Sequence, residues 1–283
     1  MGIYTNRELL SEAISKNFKG KKIGFVPTMG ALHKGHLSLV KRALQDNDGV
    51  VVSIFVNPTQ FDNATDLDKY PRTLENDVSL LKSIKGKVLV FAPNASDLYN
   101  GKVVSKKYNF GKLENEMEGK HRKGHFDGVG TVVNLLLRAV DPDKAYFGEK
   151  DFQQLQIVKK LLEIEGLSVK IIGCPIVRES NGLAMSSRNK RLTKEQFDEA
   201  AFIYKTLSEV KNKFNTHSIT QLTRHVHKVF SENKMLTLEY FEITNEKNLK
   251  TAIRKRDGNT YRAFIAVFAG DVRLIDNLSL GKW

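Results

Sequence analysis

Short apolar runs recur along the first part of the chain, at residues 23–26, 50–56, 88–91, 144–147 and 169–172. Several lack the polar alternation of a half-solvated strand, so the pattern predicts strands covered on both faces, as in a parallel sheet. Between them, near 37–45, 74–84, 129–140 and 153–165, the pattern is that of helices with one buried stripe. Strand and helix taking turns in this way predict a doubly wound α/β sheet, and such sheets hold ligands outside the carboxyl ends of their strands.

Beyond Pro175 the pattern changes. A loop-rich stretch at 178–191 leads into helical periodicity near 194–214 and 219–233, followed by runs at 236–243, 261–268 and 272–275. Strands joined without helices between them predict a small antiparallel sheet, hence a separate α+β domain. The expected division is 1–175 and 176–283, which suits a chain of 283 residues, long for one compact core.

The formal net charge is +13, from 45 Lys and Arg against 32 Asp and Glu, which raises a nucleic-acid-binding module as one function class. The cations, however, come in short groups such as Lys21 and Lys22, Lys41 and Arg42, or Lys159 and Lys160, interleaved with acids. No face of alternating aromatic and basic residues accompanies them. The expectation is a solvated basic surface that draws small anionic substrates, with no nucleic-acid partner. Cys174 is the single cysteine, so no intrachain disulfide can form, and its apolar setting predicts a buried hydrophobe. Residues 1–22 are mixed and charged, unlike a secretory leader, and no apolar run is long enough for a bilayer; a cytoplasmic protein with no membrane partner is expected.

Chemistry concentrates at the predicted strand ends. In PTMGALHKGH, residues 27–36, His33 and His36 fall on one face of a predicted helix start, beside backbone N–H groups that attract phosphate, and Gly35 leaves room for close approach. Zinc is disfavoured, since no cysteine set or H-E-x-x-H partner lies nearby. The loop Met185, Ser186, Ser187, Arg188, Asn189 offers two hydroxyls and a guanidinium suited to a polyphosphate. At 147–154, Gly148 permits a tight strand exit, Lys150 can reach a phosphate and Gln154 lies on the same side four residues on. Asn57 and Gln60, leaving another strand, offer amides for hydroxyl and carboxylate groups. Glu118 and Arg122 add charge, with Gly119 and Gly128 expected in turns before a helix.

The H-x-G-H pattern resembles the HIGH motif of nucleotidyltransferases and class I aminoacyl-tRNA synthetases, and the Ser-Ser-Arg loop resembles their KMSKS loop, with Arg188 where a lysine often stands. Taken with SIFVNPTQF, YPRT, HFDGV, FGEKDFQQL and GLAMSSRN, all in order between residues 26 and 191, the chain resembles the pantothenate synthetase (pantoate–β-alanine ligase) family. A nucleotidyltransferase acting on a mononucleotide is the alternative enzyme, which FVNPTQF and FGEKDFQQL argue against.

The resemblance implies a Rossmann-like first domain with a smaller C-terminal lid domain. It also implies a ligase that joins pantoate to β-alanine through pantoyl adenylate, with ATP as co-substrate, Mg2+ bridging its phosphates, and a homodimer as the assembly. On the matching positions, Pro27, Thr28, Met29, Gly30, Ala31, Leu32, His33, Lys34, Gly35 and His36 would cradle ATP, with His36 the proton donor and His33 stabilising the charged transition state. Gly148, Glu149, Lys150, Asp151, Val177, Met185, Ser186, Ser187 and Arg188 would complete the nucleotide site, Lys150 and Arg188 as catalytic cations on the β- and γ-phosphates. Gln60 and Gln154 would hold pantoate, Asn57 and Arg122 lie at the same substrate, and Asp77, in Glu75-Asn76-Asp77 after YPRT where the family often has adjacent aspartates, is the metal-side carboxylate.

Overall fold

The computed structural model describes residues 1–61 and 64–283. Its polypeptide divides into two compact units, one of Met1–Phe110, Arg122–Glu149 and Gln154–Pro175, the other of Gly111–His121, Lys150–Gln153 and Ile176–Trp283. Two short segments that lie inside the first 175 residues thus pack with the C-terminal part of the chain.

The first unit is built on six parallel strands: β1 (Ile3–Tyr4), β2 (Ile23–Thr28), β3 (Gly49–Ile54), β4 (Val88–Phe91), β5 (Lys144–Gly148) and β6 (Lys170–Cys174), in the order β1-β4-β3-β2-β5-β6. The predicted strands are all present, and their uninterrupted apolar runs reflect burial on both faces: every residue of β4 is buried, and so are five of the six in β3. β1 leaves no trace in the pattern, because two residues at a sheet edge carry no periodicity. From β2 the chain winds outward through β3 and β4, then crosses back to lay β5 and β6 on the other side. β2 and β5 therefore flank the switch point, where doubly wound sheets open a crevice at the strand ends. Helix Lys34–Asp46 covers the sheet through Leu39, Val40 and Ala43, which join Val26, Val50, Val52 and Val90 in one cluster.

The second unit carries the antiparallel sheet β7 (Leu236–Asn245), β8 (Thr260–Ala269) and β9 (Val272–Lys282), in that order. Helices Ala201–Lys213 and Ile219–Ser231 bury Ile203, Leu207, Val210, Leu222, Val226 and Phe230 with Ile243, Ile265 and Val267 of the sheet. The single helix expected over 194–214 is two, Lys194–Glu199 and Ala201–Lys213, parted at Ala200. Cys174 is buried. Among the described residues no helix is long and apolar enough to cross a membrane.

Candidate active site

At the carboxyl end of β2 the chain reverses sharply. The Thr28 hydroxyl donates to the Ser53 carbonyl (2.7 Å) and accepts from the Gly30 N–H (3.2 Å). Gly30 and Ala31 both lie in the left-handed region, at φ +83 and +49. Glycine adopts that conformation freely, whereas for alanine it costs about 1–2 kcal/mol. Asp77 offsets the cost. Its Oδ2 accepts the Ala31 N–H (2.9 Å) and its Oδ1 the Leu32 N–H (2.7 Å), while the Thr73 hydroxyl donates to Oδ1 (3.2 Å). At 1% exposure, this carboxylate is a buried brace for the loop.

Asp77, expected as a metal-side carboxylate, thus has both oxygens engaged by backbone N–H groups of this loop. Among the described residues no group of three or more His, Cys, Asp or Glu is placed to hold a metal ion.

His33 caps the helix that follows. Its Nδ1 accepts the Gly35 N–H (3.2 Å), and the Nδ1 of His36 accepts the His33 N–H (3.3 Å), a reciprocal arrangement that satisfies two N–H groups of the helix start. A ring nitrogen that accepts carries no hydrogen, so each neutral imidazole keeps its proton on Nε2. The rings, with centroids 4.0 Å apart, thus present two N–H donors on the side away from the backbone, at the positive end of a helix dipole. Both rings are half-buried and Lys34 is exposed.

The loop leaving β3 is organised by Asn57, 1% exposed. Its Oδ1 accepts from the Tyr99 hydroxyl (2.6 Å) and the Thr59 hydroxyl (3.1 Å); its Nδ2 donates to the Gln60 Oε1 (3.1 Å) and the Gly128 carbonyl (3.2 Å). Both ends of the Asn57 amide, expected at the substrate, are thus engaged within this part of the first unit. Gln60 in turn directs Nε2 at the Met29 sulfur (3.1 Å). The Gln60 carbonyl accepts from His125 Nδ1 (2.8 Å) and Arg122 (3.4 Å); because a carbonyl only accepts, His125 carries its hydrogen on Nδ1 and its Nε2 accepts from Arg122 (3.3 Å). Arg122 is therefore tied to the backbone beneath Gln60.

Gly128 is not a turn glycine. It lies within helix His125–Val140, where a Cβ would stand 2.2 Å from the Thr59 carbonyl oxygen and 2.8 Å from the Gln60 Cα. Gly124, at φ +78, is the residue that turns the chain into that helix.

β5 ends at Gly148 in the first unit, where Glu149 follows and Gln154 stands half-buried on helix Phe152–Glu165. In the second unit, the Lys150 carbonyl accepts from Asn277 (2.8 Å) and its ammonium lies 3.5 Å from the Asp151 carboxylate. Phe152 packs on Phe264 there, with the Arg262 guanidinium 3.9 Å from the Phe152 ring centre. Val177 accepts the Met185 N–H (3.0 Å), and Ser186 caps the short turn Ser187–Arg191 by accepting the Arg188 N–H (3.3 Å). That turn holds Arg188, Lys190 and Arg191 together.

Glu118 is bonded by two side chains of the second unit. Arg273 grips both of its oxygens at 2.8 Å, and the Tyr240 hydroxyl donates to Oε1 at 2.8 Å. Burial and then the adjacent carboxylate charge push the Tyr240 phenol well up; burial opposes the Arg273 cation, but Glu118 and Glu239 more than offset this and raise its pKa. Gln153 fastens the neighbouring backbone, donating to the Leu113 and Glu116 carbonyls (2.7 and 2.8 Å) and accepting the Glu118 N–H (3.0 Å).

The family model described as pantoate-beta-alanine ligase matches residues 3–279. A pantothenate synthetase of Flavobacterium psychrophilum is 58% identical over 260 residues, 92% of each chain. One of Christiangramia forsetii is 53% identical over 283 residues, all of both chains. Among solved structures, pantothenate synthetase from Thermus thermophilus superposes with a TM-score of 0.91 at 36% identity, covering 99% of this chain and 100% of that one. Pantoate-beta-alanine ligase from Francisella tularensis, complexed with beta-gamma ATP and beta-alanine, superposes with a TM-score of 0.81 at 38% identity, covering 99% and 98%.

Proposed function

The chain belongs to the pantoate–β-alanine ligase family, and from that premise we propose that it makes the amide in two steps through a pantoyl adenylate. In the first, a pantoate carboxylate oxygen bonds to the α-phosphorus of ATP and pyrophosphate leaves. In the second, the β-alanine amine attacks the acyl carbon, AMP leaves and the amine proton is lost. A carboxylate is a poor electrophile; its mixed anhydride with AMP has a good leaving group.

The observation that supports this reading most is the tautomer of the histidine pair, since both Nδ1 atoms accept backbone N–H groups and each neutral ring therefore carries its hydrogen on Nε2. Donors held in advance where negative charge builds up on the α-phosphate stabilise the transition state more than the ground state. The β- and γ-phosphates fall to Lys150, Arg188 and the hydroxyls of Ser186 and Ser187, the nucleotide to Gly148–Asp151, Val177 and Met185, and pantoate to Gln60 and Gln154. Magnesium enters on the triphosphate, as part of the substrate, and no step is assigned to it. The resemblance also supports a cytoplasmic homodimer, which sedimentation checks.

Protein mixed with ATP, magnesium, pantoate and β-alanine is expected to release AMP only when both acids are present. Exchange of labelled pyrophosphate into ATP should need pantoate and not β-alanine. Exchange that requires β-alanine overturns the two-step path; AMP formation indifferent to the acids overturns the reading altogether.

Gly128→Ala provides a test of the substrate loop. A methyl 2.2 Å from a backbone oxygen forces the loop to move, and a displacement of about 1 Å costs on the order of 10²-fold in rate. Catalytic efficiency with pantoate should fall by that order while helix content by circular dichroism is kept, alanine being the better helix former.

A further inference from the structure

An amide side chain has nearly the same shape either way round, so which end faces a ligand is decided by its hydrogen-bond partners. Around Gln60 those partners form a one-way chain. It begins at Tyr99, a buried phenol 8% exposed, at the end of the short helix Ala95–Leu98. Its hydroxyl donates to Asn57 Oδ1 at 2.6 Å and lies 2.9 Å from the Thr59 hydroxyl, which itself reaches the same Oδ1 at 3.1 Å. The Thr59 N–H, which can only donate, faces the same atom at 3.4 Å, and the Gly128 carbonyl, which can only accept, faces the other end, so that atom is the oxygen of the amide. The nitrogen then faces the other way, where both acceptors within reach, Gly128 O and Gln60 Oε1, are taken.

The next link follows by the same rule. Gln60 Oε1 is occupied by Asn57, so Nε2 is the end turned away, toward Met29 of the histidine loop. Burial raises the Tyr99 pKa, which keeps the phenol protonated and able to start the chain at any working pH.

We propose that Tyr99 is a positioning residue that acts through Asn57 to make Gln60 a hydrogen-bond donor, so that this position selects an acid substrate presenting carboxylate or hydroxyl oxygen and rejects one presenting N–H. The proposal rests on the reading of Gln60 as a pantoate ligand.

Tyr99→Phe keeps the ring and deletes only the first donor. Losing one neutral hydrogen bond from the chain is worth roughly a threefold to tenfold rise in KM for pantoate. KM for ATP and kcat should stay within about twofold, a split that general loosening of the fold does not produce. Asn57→Asp is the second variant: a carboxylate cannot donate to Gln60 Oε1, and the rise in KM for pantoate should exceed that of Tyr99→Phe. The direct readout is the side-chain amide signal of Gln60 in a nitrogen-15 correlation spectrum, identified by its loss in Gln60→Ala. It is expected to shift in both variants. An unshifted signal in Tyr99→Phe, or KM values for ATP and pantoate that climb together, overturns the proposal. If the signal shifts but Gln60→Ala leaves KM for pantoate unchanged, the positioning chain stands and the assignment of Gln60 to pantoate is what fails.

Discussion

Replacing His36 by alanine is expected to lower kcat for AMP formation by about 10²–10³, the usual consequence of deleting one preorganised donor at a developing oxyanion. The loss should exceed that of one hydrogen bond, because His36 also accepts the backbone N–H of His33. Without that acceptor the N–H is orphaned and the first imidazole loses the neighbour 4.0 Å away that confines it. His36→Asn separates the two contributions, since its side-chain oxygen can still take the His33 N–H while no donor reaches as far as the imidazole Nε2. It should recover only a small part of the rate. Pyrophosphate exchange isolates the adenylation step, and ATP titration reports ground-state binding. A rate loss matched in full by weaker ATP binding would mean that the imidazoles hold the nucleotide and do nothing more in the transition state.

Asp77→Ala should destabilise the protein by about 2–5 kcal/mol, since each buried donor left without its acceptor costs about 1–3 kcal/mol and the losses overlap. Three donors lose their acceptor together: the N–H groups of Ala31 and Leu32, and the Thr73 hydroxyl. Ala31 is left in a left-handed conformation with nothing to hold it there. Asp77→Asn should fall between, since its amide offers one oxygen to donors that now use two and turns an NH2 toward one of them. Urea unfolding without nucleotide or metal gives the stability change, and ATP titration should show weakened binding in parallel. A metal ligand behaves oppositely: its replacement spares metal-free stability and alters only the magnesium requirement. That outcome would support the metal-side role expected of Asp77.

These two residues show what was legible in the sequence. The histidine pair could be read because its chemistry is local: two side chains three positions apart, a glycine between them and a helix start. β2 through β6 were legible because parallel strands buried on both faces are written as unbroken apolar runs. What could not be read depends on partners far apart in the chain. Asp77 presents itself as a carboxylate in a polar stretch, and only folding brings Ala31 and Leu32 onto it. Asn57 stands far along the chain from Tyr99 and Gly128, which engage its amide. Gly128 has the look of a turn residue, yet it is a helix position kept bare by the approach of the Gln60 loop. The grouping of Gly111–His121 and Lys150–Gln153 with the C-terminal part has no local signature either, since what binds them there are contacts such as Glu118 with Arg273 and Lys150 with Asn277.

Those contacts would be lost to the C-terminal part as a fragment. A peptide starting at Ile176 would carry Arg273 with Glu239 as its one carboxylate where there are now two, Tyr240 without the oxygen its hydroxyl meets, and Asn277 without the carbonyl its amide meets. Its surface would be peeled open where two borrowed ribbons of chain belong. Splitting, swapping or permuting this polypeptide at residue 176 therefore cuts through a woven join, and recombinants that exchange everything downstream of it must inherit the matching ribbons from the same parent.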